Sequence, residues 1–347
     1  MGNLLSYSGI ATKLRAMKSK FISERQFQDM ASLSSVGEAL EFLKNTAAYG
    51  QIFSGIDAEL HRSDIEKLLS RSQHQDFEKL YHFANLSQRK FLNLYFTNFE
   101  ISILKKCLRN TLEDNPANLD LSMFQEFFRL HSKLDLEKLS SAATFSQLTM
   151  ALEGTPYHGV FKELEQNEPA SLFDYEMQLD LFHFRMIWKQ KNKLFTREEQ
   201  KTITQCFGSQ MDMLNLQWIY RSKKYYHMEP ATIYSLLIPV RYKLKQEDIR
   251  QLVESGSIEE FFNLLSFTYY GKMRTEEISE RPNLELLYEK VLSRIYSVTS
   301  QKNPYSIAIL NSYFYFKNVE IHRIITTIEG IRYGVNTSDI ISYSMKN

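Results

Sequence analysis

The stretch that decides the fold is residues 257–271, SIEEFFNLLSFTYYG, because the chain contains it three times. The earlier copies are residues 35–50, SVGEALEFLKNTAAYG, and residues 144–159, TFSQLTMALEGTPYHG. All three begin with Ser or Thr, carry Glu or Gln three residues later, and share a Leu and a Thr before a closing Tyr and Gly. Similarity at fixed offsets indicates a chain built from copied structural units.

Each copy is predicted to form one short helix with a defined start and end. Ser or Thr followed three residues later by Glu or Gln indicates a capping box, in which two side chains satisfy backbone donors reciprocally. The Gly is predicted to end the helix. Three apolar positions at helical spacing form one face in each copy. They hold Ala39, Phe42 and Leu43; Leu148, Ala151 and Leu152; and Phe261, Leu264 and Leu265.

The similarity continues upstream without a gap, so each unit is predicted to hold two consecutive short amphipathic helices. The shared upstream positions are Phe27, Leu136 and Ile249, and three residues later Met30, Leu139 and Leu252. A third shared piece follows each copy after a gap of variable length. It is residues 98–101, 215–218 and 318–321, which read NFEI, NLQW and NVEI.

Composition favours an all-helical protein with no global electrostatic field. The 347 residues include only 12 Gly and 7 Pro, and 42 basic against 41 acidic residues give a formal charge of +1. A nearly neutral chain has no general attraction for nucleic acid or anionic lipid. Cys107 and Cys206 lie in apolar helical patterns, which predicts buried thiols. Because no apolar run reaches the length of a membrane span, we expect a soluble, cytoplasmic chain.

The repeat divides the chain into three similar helical domains, predicted at 1–118, 119–240 and 241–347. Helices are expected at 3–20, 64–72, 91–108, 172–191, 197–226, 284–298 and 305–332, with residues 50–80 otherwise connecting structure. The helix at 91–108 is apolar nearly all round, so it should be buried, and Asn98 and Glu100 within it should have polar partners. Asn115 and Pro116 are predicted to interrupt the helical structure, and residues 163–169 are predicted to form a hinge. The tail from Asn336 is expected either to pack back on the body of the protein or to fray.

No motif for catalysis or for a bound cofactor or metal is found. The chain lacks a phosphate-binding loop, GxGxxG, HExxH and CxxC, and its eight His show no spacing of four residues. The most concentrated feature is residues 218–227, WIYRSKKYYH. Interleaved basic and aromatic residues can bind single-stranded nucleic acid. The pattern is also typical of a helix C-terminus with inward aromatics, which we favour, or of a protein-contact surface.

Three stretches together resemble one family. They are residues 7–19, YSGIATKLRAMKS; residues 218–226 with Leu-Ile-Pro at 237–239; and residues 316–324, FKNVEIHRI, with Ile-Arg-Tyr-Gly at 331–334. They resemble the C subunit of archaeal-type rotary ATPases, whose counterpart in the vacuolar enzyme is the d subunit. The stretches 50–90 and 160–210 do not contribute to the resemblance.

The resemblance implies a non-catalytic subunit without a cofactor. Its expected form is a pseudo-threefold funnel of three helical domains. This funnel is expected at the cytoplasmic face of the membrane, on the membrane rotor ring of c/K subunits, without inserting directly. It would receive the central shaft, formed by the D and F subunits, and bind no nucleic acid. The internal repeat is an independent reason to expect three similar bundles around an axis.

The surfaces for these partners are predicted from the repeat and from the basic residues. An exposed edge of short-helix tips is expected to meet the ring, at Tyr49, Gly50, Tyr157, Gly159, Tyr270 and Gly271, unless these residues are only helix stops. Six cations are expected to line the funnel, or else to pair internally with Glu100 and Glu320. They are Arg15, Lys18, Arg221, Lys223, Lys224 and Arg332. The alternative function is an all-α repeat scaffold for another protein; an enzyme or a nucleic-acid module is less favoured.

Overall fold

The computed structural model is all-α, with 79% of the chain in helices. It describes residues 2–56, 60–112, 119–167, 171–273 and 284–344, and these contain no strand. The helices are α1 Gly2–Lys18, α2 Glu24–Ala31, α3 Val36–Lys44, α4 Gly50–Phe53, α5 Arg62–Phe83, α6 Leu86–Leu112, α7 Ser122–His131, α8 Leu136–Ser141, α9 Phe145–Ala151, α10 His158–Asn167, α11 Leu172–Leu194, α12 Arg197–Lys224, α13 Pro230–Leu236, α14 Gln246–Glu254, α15 Ile258–Phe267, the 3-10 helix η1 Gly271–Met273, α16 Leu284–Lys302, α17 Ile307–Arg332 and α18 Thr337–Ser344.

The chain forms two compact units, and the first consists of residues 1–85, 196–235 and 241–347. Here the long helices α12, α16 and α17 pack against one another, and α17 also contacts α1, α2, α3, α5 and α18. Side chains of α2, α3, α4 and α5 share one apolar core with α17, including Phe27, Leu43, Phe53, Leu69 and Ile324. The first two short helices therefore bury their apolar faces against the last long helix.

The second unit consists of residues 86–195 and 236–240. Helix α6 packs along α11 and also contacts α9, while α7, α8, α9 and α10 follow one another in contact. The prediction that 91–108 is a buried helix is confirmed, since residues on all sides of α6 are buried. Phe96 and Phe99 of α6 meet Phe127 of α7 with ring centroids 5.1 and 5.6 Å apart. These aromatic contacts join the short helices to α6.

Two of the predicted connecting segments are helical instead. Residues 50–80 contain α4 and most of α5, a helix of 22 residues whose Ile65, Leu69, Phe77 and Leu80 are buried. The helix predicted at 64–72 lies within α5, which continues to Phe83 and is therefore longer than expected. Residues 163–167 of the predicted hinge belong to α10. The predicted break at Asn115 and Pro116 lies outside the described residues.

The thiols and the tail follow the predictions. Cys107 and Cys206 are free and buried, and burial raises the pKa of each thiol to about 12.

The tail packs back on the body of the protein rather than fraying, because α18 packs on α17 and α2. Ile340 is 2% exposed and lies so close to Gly330 that a Cβ there would be 2.7 Å from its side chain.

Candidate functional site

The repeated sequence forms three helix pairs, which we call pair 1 (α2 and α3), pair 2 (α8 and α9) and pair 3 (α14 and α15). The second helix of each pair begins with the predicted cap. The hydroxyl of the capping Ser or Thr accepts a hydrogen bond from the backbone N–H three residues later. Ser35 accepts from Glu38 at 3.2 Å, Thr144 from Gln147 at 3.3 Å, and Ser257 from Glu260 at 3.1 Å. The Glu or Gln, however, accepts from the residue before the cap: Ser34 at 2.9 Å, Ala143 at 2.9 Å and Gly256 at 2.6 Å. The same variant of the capping box therefore occurs three times.

The shared Thr ends the second helix of each pair with a local side-chain turn. Its hydroxyl donates a hydrogen bond to the backbone carbonyl of the shared Leu. Thr46 donates to Leu43 at 2.8 Å, Thr155 to Leu152 at 2.6 Å, and Thr268 to Leu265 at 2.7 Å. The same oxygen accepts a backbone N–H from the closing residues, Tyr49, Tyr157 and Gly271, at 3.1 to 3.3 Å. The three Leu side chains are fully buried. The Thr side chain therefore forms the turn with a backbone carbonyl, while the Leu side chain packs the end of the helix into the core.

The prediction that the Gly ends each helix is wrong. Gly50 begins α4, Gly159 lies in the first turn of α10 and Gly271 begins η1, so the Thr turn leads directly into another short helix. A Cβ at Gly271 would be 1.9 Å from the Leu265 carbonyl oxygen, and one at Gly50 would be 2.7 Å from that of Lys44. At these two positions Gly is required because two backbone segments approach closely.

The expectation that the closing tyrosines are exposed is also wrong. Tyr49, Tyr157 and Tyr270 are at most 1% exposed. Each hydroxyl donates to a carboxylate on a long helix, and burial is the main reason that the pKa of each phenol is raised. A buried phenol needs such an acceptor. We call each arrangement a carboxylate tie, and each carboxylate also holds the segment that leads into the same pair.

Tie 1 is centred on Glu320 of α17, which is 4% exposed. One oxygen accepts the Ile22 N–H at 2.6 Å, and the other accepts the Tyr49 hydroxyl at 2.5 Å and the Lys317 ammonium at 3.1 Å. Ile22 lies just before Ser23, the N-cap of α2, and Tyr49 follows α3. One side chain therefore fixes both ends of pair 1.

A second carboxylate shares the buried cation of tie 1. The Lys317 ammonium donates to the Tyr49 hydroxyl at 2.8 Å and lies 3.8 Å from Asp76 of α5. Asp76 in turn accepts the Tyr313 hydroxyl at 2.7 Å. Lys317 is only 1% exposed, so its charge is balanced by these two carboxylates rather than by water.

Tie 2 is centred on Glu100 of α6. It accepts the Tyr157 hydroxyl at 2.7 Å and the Ser132 hydroxyl, which comes from the segment before α8. Burial raises the pKa of Glu100 above its usual value, and the two hydroxyl donors oppose this shift. Polar partners were predicted for this residue, and they are hydroxyl groups rather than cations. Asn98, also predicted to be partnered, donates to the Tyr95 carbonyl at 2.8 Å and faces His183 at 3.0 Å.

Tie 3 is centred on Asp212 of α12, which is fully buried. Its oxygens accept the backbone N–H groups of Tyr242, Lys243 and Leu244 at 3.2, 2.6 and 3.1 Å, and the Tyr270 hydroxyl at 2.8 Å. Burial is the main cause that raises the pKa of Asp212, and these donors oppose it. In the sequence repeat Gln217 occupies the position of Glu100 and Glu320, and the acidic residue of this tie stands five positions earlier, where the repeat does not predict it.

The ties connect the repeat in an order that differs from the sequence order. The order of the repeat in the sequence predicts that each pair packs with the long helix that follows it. Pairs 2 and 3 are instead tied to the long helices that precede them, α6 and α12, whereas pair 1 is tied to α17, the last long helix. The domain boundaries at 118 and 240 stay a prediction.

The six cations predicted for the funnel have different surroundings. Arg221 lies 3.8 Å from Glu285, and Arg332 contacts Glu329 and the Leu60 carbonyl. Lys223 donates to the Val253 carbonyl at 2.7 Å, and Lys224 donates to the Tyr220 hydroxyl at 2.7 Å. None of them pairs with Glu100 or Glu320, whose described partners are those of the ties, so that alternative is wrong. Arg15 and Lys18 are exposed on α1.

The described part of the chain shows neither a metal-binding cluster nor a membrane-spanning helix. It contains no group of three or more His, Cys, Asp or Glu side chains arranged to hold a metal ion. None of its helices combines the length and apolar character needed to cross a bilayer.

Comparison with known proteins places the chain among relatives that share nearly its whole length. The family model described as ATP synthase (C/AC39) subunit matches residues 10–343. The chain belongs to this family. The resemblance noted at residues 7–19, 218–239 and 316–334 is thereby confirmed, and the three carboxylate ties lie within the matched range.

Curated relatives of the family are distant in sequence but similar in length. The chain is 25% identical to the C subunit of the A-type ATP synthase of Thermococcus kodakarensis over 330 residues, which cover 92% of this chain and 84% of the relative. It is 24% identical to the protein of the same name from Pyrococcus abyssi, over 96% of this chain and 89% of the relative. The C subunit of the A-type ATP synthase of Methanocaldococcus jannaschii is 20% identical, over 94% of this chain and 83% of the relative.

Proposed function

We propose that this chain is the non-catalytic coupling subunit of a rotary ATPase, joining the central shaft of D and F subunits to the membrane rotor ring of c/K subunits. The observation that carries the proposal is the family match over residues 10–343. In this role the chain lies at the cytoplasmic face of the membrane and is held there by the ring. It serves ATP-driven ion transport or ATP synthesis without binding a nucleotide itself.

The carboxylate ties support a mechanical role. The positions shared by the three copies are used for internal contacts: caps, Thr turns, buried Leu side chains and the Tyr hydroxyls. An adaptor that transmits torque must resist internal deformation, and buried hydrogen-bonded networks give a rigid, uniquely packed interior. We propose that three such modules, at 1–118, 119–240 and 241–347, surround a funnel with pseudo-threefold symmetry.

The ring-facing edge is proposed at the exposed residues of the three Thr turns. The buried tyrosines and Gly271 support this edge from within, whereas Gly50 is half-buried and Gly159 is exposed. Two exposed positions shortly before the closing Tyr are equivalent in the three turns. They hold Asn45 and Ala47 in the first turn, Gly154 and Pro156 in the second, and Phe267 and Tyr269 in the third. Phe267 is 70% exposed and Tyr269 45%. Exposed aromatic side chains are favoured anchors of protein interfaces, so the third turn should contribute most.

Co-purification tests the coupling role. An affinity tag on the full chain in its native cells should recover the D and F subunits together with the ring subunits. Recovery of a different protein without any of these subunits would overturn the coupling role and support the alternative, an all-α scaffold for another partner.

A substitution at the third turn tests the ring-facing edge. The double variant Phe267→Ser/Tyr269→Ser should recover the shaft subunits normally but several-fold less of the ring. Met123→Ser/Leu130→Ser is a matched control, because both of these side chains are exposed on α7, at 42% and 60%. Equal ring recovery with the two double variants would refute the assignment of this edge.

A further inference from the structure

A groove beside α1 combines an apolar floor with two cations and no acidic residue. Its volume is about 240 Å³, and it is lined by α1, the end of α16 and the start of α17. Ala11, Leu14 and Ile309 contribute apolar surface, while Arg15 and Lys18 stand one helical turn apart at its edge. No Asp or Glu is among the described residues that line it.

The two cations of this groove differ from the other candidates because they are available to a partner. Arg221, Lys223, Lys224 and Arg332 are held by groups of this chain. Among the described residues the Arg15 side chain makes no hydrogen bond or ion pair, and the Lys18 ammonium only lies over the Phe316 ring, 4.7 Å from its centroid. Both are exposed. The helix dipole favours cations at the end of α1, but it does not account for the groove beside them.

The surrounding charge is one-sided as well. Residues 13–20 carry four cations, Lys13, Arg15, Lys18 and Lys20, and the first acidic residue of the chain is Glu24. Lys13 and Lys20 line a second cavity, of about 390 Å³, where Asp76 is the one acidic residue among the described lining and Lys79 and Lys317 add two further cations. Although the formal charge of the whole chain is only +1, positive charge is concentrated in residues 13–20, the last part of α1 and the two residues after it. Such a surface attracts an acidic partner and increases its association rate.

We propose that this groove is the docking site of an acidic segment of a partner protein, with carboxylates on Arg15 and Lys18 and apolar side chains on the floor. The inference rests on the proposed function, because it assigns the segment to the shaft subunits. A protein is favoured over an anionic membrane because the exposed residues beside the cations, Ala16 and Ser19, are too small to enter a bilayer. The exposed Leu4 and Leu5 lie near the other end of α1. A carboxylate-bearing segment also suits Arg, whose planar fork binds carboxylates bidentately.

Binding of the full-length chain to the purified shaft of D and F subunits, measured at low and high salt, tests the inference. Arg15→Glu/Lys18→Glu should weaken binding roughly tenfold or more at low salt and reduce its salt dependence. Arg185→Glu/Lys189→Glu is the matched control, since it reverses one exposed Arg and one exposed Lys on α11. The milder Arg15→Gln/Lys18→Gln variant should show a smaller loss, and thermal unfolding should be unchanged in all variants.

The possible results separate this inference from the proposed function. If the wild-type chain binds the shaft and the Arg15/Lys18 variants bind it equally well, the groove is not the docking site and the coupling role stands. If the wild-type chain does not bind the shaft, the coupling role fails and this inference fails with it. Vesicles containing phosphatidylserine test the other source of negative charge: loss of vesicle binding with unchanged shaft binding would overturn the inference.

Discussion

The hydroxyl of Tyr49 donates to the carboxylate of Glu320 at 2.5 Å although 271 residues separate them. The same carboxylate binds the N–H of Ile22, so a single side chain of α17 holds the start and the end of pair 1. Ties 2 and 3 repeat this arrangement with different numbers of donors. When the tyrosine hydroxyl of a tie is removed, the loss of stability should therefore depend on how many other hydrogen-bond donors the buried carboxylate keeps.

Replacing the closing tyrosines by Phe should destabilise the units unequally. Tyr157→Phe leaves Glu100 with Ser132 as its described partner, and we expect a loss of about 2 kcal/mol. Tyr270→Phe leaves Asp212 with three backbone N–H groups, and we expect about 1 kcal/mol. Urea unfolding followed by fluorescence can measure both, because Trp188 lies in one unit and Trp218 in the other. Equal losses, or a larger loss for Tyr270→Phe, would show that the number of donors left on the carboxylate does not determine the cost.

Removing the buried cation of tie 1 should cost more. Lys317→Met leaves Glu320 and Asp76 without their shared ammonium, and breaking a buried ion pair on one side typically costs about 3–5 kcal/mol. The double variant Lys317→Met/Glu320→Gln should recover part of this loss, because it also removes a buried negative charge. The measurement is urea unfolding reported by Trp218. A single variant within about 1 kcal/mol of the wild type would mean that Lys317 is not needed for charge balance.

The glycines of the three copies should tolerate Ala to very different degrees. Gly271→Ala places a Cβ against a backbone carbonyl that cannot rotate away, and we expect a loss of roughly 3 kcal/mol. Gly50→Ala should cost less, because its closest contact is longer. A Cβ at Gly159 meets no atom within 4 Å, so Gly159→Ala should change stability by less than about 0.5 kcal/mol. A neutral Gly271→Ala in thermal unfolding would show that the approach of the two segments is not tight.

Glu289 of α16 should make stability depend on pH. Burial raises its pKa to about 7, with Glu24 acting in the same direction and Arg323 and Lys290 opposing. Because the folded-state pKa exceeds the usual value of 4.5, the folded state binds more protons in the window between about 4.5 and 7. The contribution of this group to stability is therefore greatest below pH 4.5 and is lost as the pH rises through 7.

The variant Glu289→Gln isolates this contribution. Its free energy of unfolding, measured with urea at pH 5 and at pH 7.5, should rise relative to that of the wild type as the pH increases. One oxygen of Glu289 is buried without a hydrogen-bond partner among the described residues, so the amide should fit without losing a bond. A constant difference between the two proteins at both pH values would show that Glu289 ionises as readily in the folded protein as in the unfolded chain.

The sequence predicted the local parts of the repeat and missed the long-range ones. Ser35, Thr144 and Ser257 identified helix starts because a cap depends only on residues three or four positions away. Tyr49, Tyr157 and Tyr270 are predicted at an exposed edge because the Tyr and the Gly close all three copies of the repeat. Their acceptors lie between 57 and 271 residues away, and no local pattern marks them.

The order of the ties affects how the chain can fold as it leaves the ribosome. Helices α6 and α12 are synthesised before pairs 2 and 3, so each of these pairs finds its acceptor already made. Pair 1 emerges first, and Tyr49 has no carboxylate to bind until α17 has been translated. Pair 1 is made before pairs 2 and 3 but is the last to find its acceptor, so a chain that ends before Glu320 would leave both Tyr49 and the Ile22 N–H without their carboxylate.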